Sequence, residues 1–216
     1  MPGDERLILA LNCGSSSLKY GVYRAEGNHP QLVFEGEAEE ITDHSVALNQ
    51  ALELLERQGL KQFWKAGHRV VHGGPNVREH QVLTPDVFKK LQAAVPFAPL
   101  HLPASIAVIE AVRKKMPDLP QVICLDTAFH RTMPDVARTF ALPAAVRQLG
   151  VERYGFHGLS IGIYFGSVAT RAGEPCHSAF RQRRQHHRDS RWPVDRHHDG
   201  IDTHGRSDDG HALRGS

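Results

Sequence analysis

The chain has 216 residues, 40% of them hydrophobic and 23% charged, with a formal net charge of +2. That is enough for one domain of good size or two small ones, and no charge imbalance singles out a nucleic acid or a membrane as partner. The opening "MPGDER" runs into only five apolar residues before Asn12, unlike a secretory signal, and no apolar run approaches the roughly 18 residues of a membrane span.

Cys13, Cys124 and Cys176 are odd in number and far apart. They are expected to be reduced thiols of a cytoplasmic protein, without a disulfide framework or metal-ligand spacing. Along the chain, "RLILALN" is an apolar run of strand length, and "SLKYGVYRAEG" and "QLVFEGEAEEI" alternate as two further strands. "SVALNQALELLERQGL" has apolar residues at helical spacing and ends on Gly59 as C-cap. "KAGHRVVHGG" reads as a strand entering a glycine turn. "TPDVFKKLQAAV" reads as a helix capped by Thr84 with Pro85 at its first position. "PASIAVIEAVRKKM" is a further helix, "QVICLD" a buried strand, "PAAVRQLG" a short helix and "RYGFHGLS" a loop. The pattern predicts an α/β architecture with three early antiparallel strands.

Several stretches carry site-like chemistry. In "NCGSSSLK" a Gly/Ser turn after a strand offers backbone N–H groups and hydroxyls to phosphate oxygens, and Lys19 adds a positive charge. A plain hairpin turn with solvated serines reads the same way. Arg69 in "GHRVVHGG" lies within an apolar strand, where a charge needs a partner; its fork suits a carboxylate or phosphate ligand and equally a structural acid. Asp126 stands at a strand's C-terminal edge, where open α/β sheets place ligands, or serves as a turn cap. His157 in "RYGFHG" can steady developing charge or be a structural histidine, and His101 in "PLHLPAS" is open in the same way.

Taken in order, "NCGSSSLK", "GHRVVHGG", "PLHLPAS", "LDTAFHRTMP" and "RYGFHG" resemble the acetate kinase (acetokinase) family over about residues 7–160. That family belongs to the actin-like superfamily of sugar and acid kinases. The resemblance implies an α/β, actin-like (ribonuclease-H-like) N-terminal domain with a mixed sheet. It also implies reversible transfer of the ATP γ-phosphoryl to acetate, giving acetyl phosphate and ADP, with Mg²⁺. Carried over residue by residue, it assigns Asn12 to the Mg²⁺ site, Lys19 to ATP, and Ser15 and Ser17 to phosphate. Arg69 takes the substrate arginine's place, with Val71 and Leu100 lining a small methyl pocket. His101 and His157 lie near the transferring phosphoryl, and Asp126 is the active-site aspartate. An acetate carboxylate is already ionised near neutral pH, so Asp126 suits the ordering of Mg²⁺ or its waters better than proton transfer. Propionate or butyrate kinase of the same family is the alternative, as is a non-catalytic remnant; a homodimer is a possibility carried by the intact family. The family's usual Asn after "PLH" is Leu102 here, and Leu159, Ser160 and Ile161 stand where Thr-Ser-His is usual.

Residues 181–216 break the pattern, with five hydrophobic residues, eight arginines and six histidines. Such a stretch has too little apolar surface to offset its ordering entropy. A nucleic-acid-binding tail is opposed by its six aspartates. A metal-binding tail is opposed by His186-His187 and His197-His198, which lack the i, i+4 ligand spacing of helical sites. A shifted reading frame accounts for more. When the last two bases of each codon are joined to the first of the next, positions 179–185 can spell His-Phe-Gly-Asn-Gly-Ala-Ser. Positions 210–216 can then spell Gly-Thr-Arg-Ser-Gly-Asp, and both are motifs the family carries after "FHG". The expected organisation is an acetate kinase-like N-terminal domain over 1–165 and a non-native, disordered tail over 166–216. On this reading the frame is expected to be lost between positions 159 and 177, and a second domain to be missing.

Overall fold

The computed structural model describes residues 6–25 and 30–169, all within one compact unit. The expectation of a disordered tail lies outside the described residues. Strands β1 (Leu7–Cys13), β2 (Leu18–Arg24) and β3 (Gln31–Ala38) form an antiparallel meander. Helix α1 (His44–Arg57) leads to β4 (Lys65–Val70), which lies parallel to β1. After a short edge strand β5 (Gln81–Val82) come α2 (Pro85–Ala93), α3 (Leu102–Lys115) and β6 (Gln121–Leu125). β6 pairs parallel to β4 and antiparallel to β5, so the sheet order is β3-β2-β1-β4-β6-β5. Short helices α4 (Asp135–Arg138) and α5 (Ala144–Arg147) precede α6 (Gly158–Ala169). The mixed sheet and the three early antiparallel strands agree with the sequence reading.

Alternation sets the two faces. Leu7, Leu9, Leu11 and Cys13 of β1 are buried, whereas Ile8, Ala10 and Asn12 are half-buried. On β4 and β6 the same parity buries Ala66, His68 and Val70, then Gln121, Ile123 and Leu125. These residues pack against α1 and α3 through Leu48, Leu52, Leu55, Val108, Ile109 and Val112. The opposite face remains half-open.

Local chemistry explains the helix ends. Asp43 caps α1, its carboxylate accepting from the Ser45 amide at 2.8 Å, and Gly59 at φ +80 closes the helix in the left-handed region. Thr84 caps α2 by accepting from the Val87 amide at 3.2 Å, with Pro85 at the first position. Two features go beyond the sequence reading. The pair Gln81 and Val82 joins the sheet edge. The "RYGFHGLS" stretch stops being a loop at Gly158, where α6 begins, and α6 runs to Ala169, past the boundary expected at 165.

Candidate active site

Strand register lines up one row across the half-open face. Lys19 pairs with Asn12, Asn12 with Arg69, and Arg69 with Cys124. Asp126 follows two residues beyond Cys124. Its amide continues the ladder to the Val70 carbonyl at 3.0 Å. The row ends where the parallel strands β1, β4 and β6 end, at their C-terminal edge. This is where parallel α/β sheets leave room for ligands.

Arg69 ties the row together. Its Nη2 donates to Asp126 Oδ2 at 2.7 Å and its Nε donates to the same oxygen at 3.2 Å. Its Nη1 donates to Asn12 Oδ1 at 3.0 Å. The Arg69 side chain is 33% exposed and that of Asp126 2%. Of the two sequence alternatives for Arg69, the structure shows the pairing with a buried acid, on a side chain that remains a third exposed on the half-open face.

Gly158 N–H donates to the Asp126 carbonyl at 2.9 Å, which fastens the preceding residue, the exposed His157, beside Asp126. A Cβ on Gly158 would stand 2.1 Å from that carbonyl oxygen, so no other residue fits there without displacing the backbone. Lys19 forms an ion pair with Glu37 of β3 at 3.2 Å. Ser15 and Ser17 belong to the turn joining β1 to β2. That turn is closed by the Gly14 amide donating to the Ser17 carbonyl at 2.8 Å and braced by His44 Nε2 at 3.0 Å from the Gly14 carbonyl. Val71 continues β4 and is half-buried. Leu100 is 77% exposed and His101 is the residue that opens α3; among the described residues no hydrogen bond or ion pair ties either of them to Arg69 or Asp126.

Sequence reasoning missed a second group. His72 is 2% exposed and lies among Phe97, Tyr154 and Phe156, with ring centroids 5.3, 4.4 and 5.8 Å away. Its Nδ1 accepts from the Gly74 amide at 2.8 Å, and burial holds its pKa below the usual imidazole range, against an opposing pull from Glu152. Glu152 accepts from the Tyr154 hydroxyl at 2.7 Å and from Arg78. Burial pushes the Glu152 carboxyl up, but those bonds and Arg138 outweigh it and leave its pKa lowered. Tyr154 is pushed up to about 12, by burial first and then by Glu152. The signal available in the sequence was the aromatic pair flanking Gly155 in "RYGFHG".

Residues 33–175 match the model of the Acetokinase family. The acetate kinase of Micrococcus luteus is 39% identical over 181 residues, covering 77% of this chain and 46% of that protein. That of Deinococcus radiodurans is 40% identical over 191 residues, with coverage of 77% and 48%. Among solved structures, acetate kinase from Entamoeba histolytica superposes with a TM-score of 0.67 at 30% identity, over 77% of this chain and 46% of that one. A propionate kinase from Francisella tularensis superposes with a TM-score of 0.57 at 30% identity, over 71% and 45%. The chain spans about half the length of the curated relatives it matches.

Proposed function

We propose, for a chain that belongs to the Acetokinase family, that its half-open sheet face is the acid-binding side of an acetate kinase. The reaction is reversible transfer of the ATP γ-phosphoryl to acetate, giving acetyl phosphate and ADP in the cytoplasm. The observation that carries this reading is the convergence of Arg69, Asn12 and Asp126 at the C-terminal edge of the parallel strands.

The chemistry asks for little beyond position and charge. A carboxylate nucleophile is ionised near neutral pH and needs no base. Phosphoryl transfer then depends on in-line placement and on neutralising the transferring group. The Arg69 fork already grips a carboxylate, that of Asp126, and the same planar geometry suits the carboxylate of acetate or an equatorial phosphoryl oxygen. His157 is exposed beside Asp126 and donates toward the same charge. Lys19, Ser15 and Ser17 would approach the nucleotide phosphates from the β1–β2 side, Val71 and Leu100 would line the methyl end of the acid, and His101 would lie near the transferring phosphoryl.

Asn12 Oδ1 and the Asp126 carboxylate are both hard oxygen donors directed at one point, the Arg69 guanidinium. Among the described residues no group of three or more His, Cys, Asp or Glu side chains is placed to hold a metal. One carboxylate and one amide oxygen fit Mg²⁺, which keeps waters and substrate phosphates as its remaining ligands. Asn12 and Asp126 would hold it, and bound there it would neutralise charge on the phosphate oxygens.

The test is acetyl phosphate formation, trapped as hydroxamate, from acetate and ATP. The 216-residue chain alone is expected to give no measurable product, because the frame as written does not spell the family's Gly-Thr-Arg-Ser-Gly-Asp, whose arginine would face the transferring group, and losing such an arginine costs about 10³ or more in rate. A version completed in the restored frame is expected to be active, and Arg69→Ala in it to abolish activity. A completed enzyme that leaves acetate unphosphorylated overturns the reading. The propionate kinase neighbour makes propionate the second substrate to assay, since one methylene is worth only about 1–3 kcal/mol of discrimination.

A further inference from the structure

His157 is held in a conformation that its residue type does not favour. Its φ is +57, in the left-handed region that a residue with a Cβ keeps only where surrounding contacts impose it. On the C-terminal side the contact is the Gly158 amide bond to the Asp126 carbonyl. On the N-terminal side it is His130. Its Nε2 lies 3.0 Å from the carbonyl oxygen of Phe156, the residue just before His157. Its ring packs so closely on the Gly155 backbone that a Cβ at 155 would stand 2.3 Å from the imidazole Cγ. His130 is itself fixed in the 3₁₀ turn Ala128–Thr132. Its amide donates to the Thr127 carbonyl at 3.1 Å, and its carbonyl accepts from Met133 at 3.0 Å. The short stretch that begins at Asp126 therefore grips the 155–158 backbone at two points, on either side of His157.

The geometry points to His130 as a positioning residue: its Nε2–H donates to the Phe156 carbonyl and holds His157 in the left-handed conformation beside Asp126. The catalytic consequence rests on the reading that His157 faces the transferring group; the conformational role does not. Packing and hydrogen bonding are separable at this position. Phenylalanine keeps a flat ring against Gly155 but has no donor, and glutamine keeps a donor at similar reach but has no ring.

The experiment is NMR on the 216-residue chain. A positive φ brings the amide and α protons of one residue close, so His157 gives a strong intraresidue NOE. Glu40, at φ +54 in the β3–α1 connection, gives the same signal as an internal control. His130→Phe is expected to lose the His157 signal and keep that of Glu40, and His130→Gln to keep both. Retention of the His157 signal in His130→Phe overturns the proposal, leaving packing as the whole of the contact. If that variant loses both signals, the wild-type chain decides: a ¹⁵N–¹H correlation of the His130 imidazole must show a proton on Nε2, and a proton on Nδ1 alone overturns the proposal. In the completed enzyme His130→Phe is expected to lower kcat at least tenfold with KM for acetate unchanged, rescued by His130→Gln. An inactive completed wild type would remove the proposed acetate kinase activity and leave the NMR result standing.

Discussion

His68 lies on the core side of the strand whose next residue is Arg69, and it couples stability of the site's scaffold to pH. The imidazole is 2% exposed, and its Nε2 lies 2.8 Å from Gln121 Oε1 on β6. Burial pulls its pKa from 6.5 down to about 4, with the Gln121 bond opposing. The folded value is below the unfolded one, so the unfolded chain binds more protons between pH 6.5 and 4. Stability is therefore complete above about pH 6.5, falls as pH drops through that window, and levels off below about pH 4. A difference of about 2.5 pH units at 1.36 kcal/mol each amounts to roughly 3 kcal/mol, a large share of the 5–15 kcal/mol typical of a domain. At about 2–4 °C per kcal/mol for a chain of this size, Tm should fall by roughly 6–12 °C. Urea unfolding at pH 7, 5.5 and 4 measures the loss. The double variant His68→Leu with Gln121→Leu removes both partners together, which is close to neutral at pH 7, and should flatten most of the profile. The part that survives belongs to His72, whose pKa burial also lowers. An NMR titration of His68 with a midpoint near 6.5, or equal stability at pH 7 and 4.5, would refute the reasoning.

Further expectations follow from the site itself. Arg69→Ala strips the buried Asp126 carboxylate of its three guanidinium bonds. Because Arg69 is a third exposed, the cost should be about 2 kcal/mol by urea unfolding, below the 3–5 of a fully buried pair. A double-mutant cycle with Asp126→Ala should show coupling of about 1 kcal/mol or more, and simple additivity would dissolve the pair. Gly158→Ala drives a Cβ to 2.1 Å from the Asp126 carbonyl; a loss of roughly 1–3 kcal/mol is expected from the overpacking, and a stability equal to wild type would show that α6 starts elsewhere. Spectrophotometric titration near 295 nm should find Tyr20 and Tyr154 both ionising late, Tyr154 by about two pH units, with Glu152→Ala removing only the part of the Tyr154 shift that burial does not supply; an unchanged Tyr154 in that variant would contradict the Glu152 network.

What the sequence disclosed was local. "RLILALN" was apolar and of strand length, enough to place Asn12 at the end of a strand. Thr84 with Pro85, and Gly59, marked helix ends by backbone chemistry confined to a few residues. Asp126 could be placed at a strand's end because "QVICL" is apolar and of strand length. What stayed hidden depends on partners far along the chain. Arg69 read equally as a ligand fork or a salt bridge because Asp126 is 57 residues away, and only the register of β4 with β6 joins them. β5 has two residues and no periodicity of its own; pairing with Val122 and Ile123 creates it. His72 finds its ring partners at 97, 154 and 156, so its burial cannot be read from "RVVHGG". His157 counted as a loop residue because nothing in "GFHG" announces that its amide neighbour locks onto Asp126.

Charge balance along the row bears on how the face would work under the proposed phosphoryl transfer. Of the two cations in the row, Lys19 faces Glu37 and Arg69 faces Asp126. Each positive charge is thus compensated within the sheet, and an arriving acid or phosphate meets donors that are already engaged. Occupation of the site by a divalent cation would change this, because Asn12 and Asp126 would then serve the metal and the Arg69 fork would turn to the substrate. Under the proposed function Asn12 and Asp126 would hold a cation that also neutralises nucleotide phosphates, so acid binding and nucleotide binding would be linked through the same two oxygens. Linkage of that kind is reciprocal: in the completed enzyme, MgATP should tighten acetate binding by the factor with which acetate tightens MgATP. Replacing Asp126 by Asn should weaken both effects together.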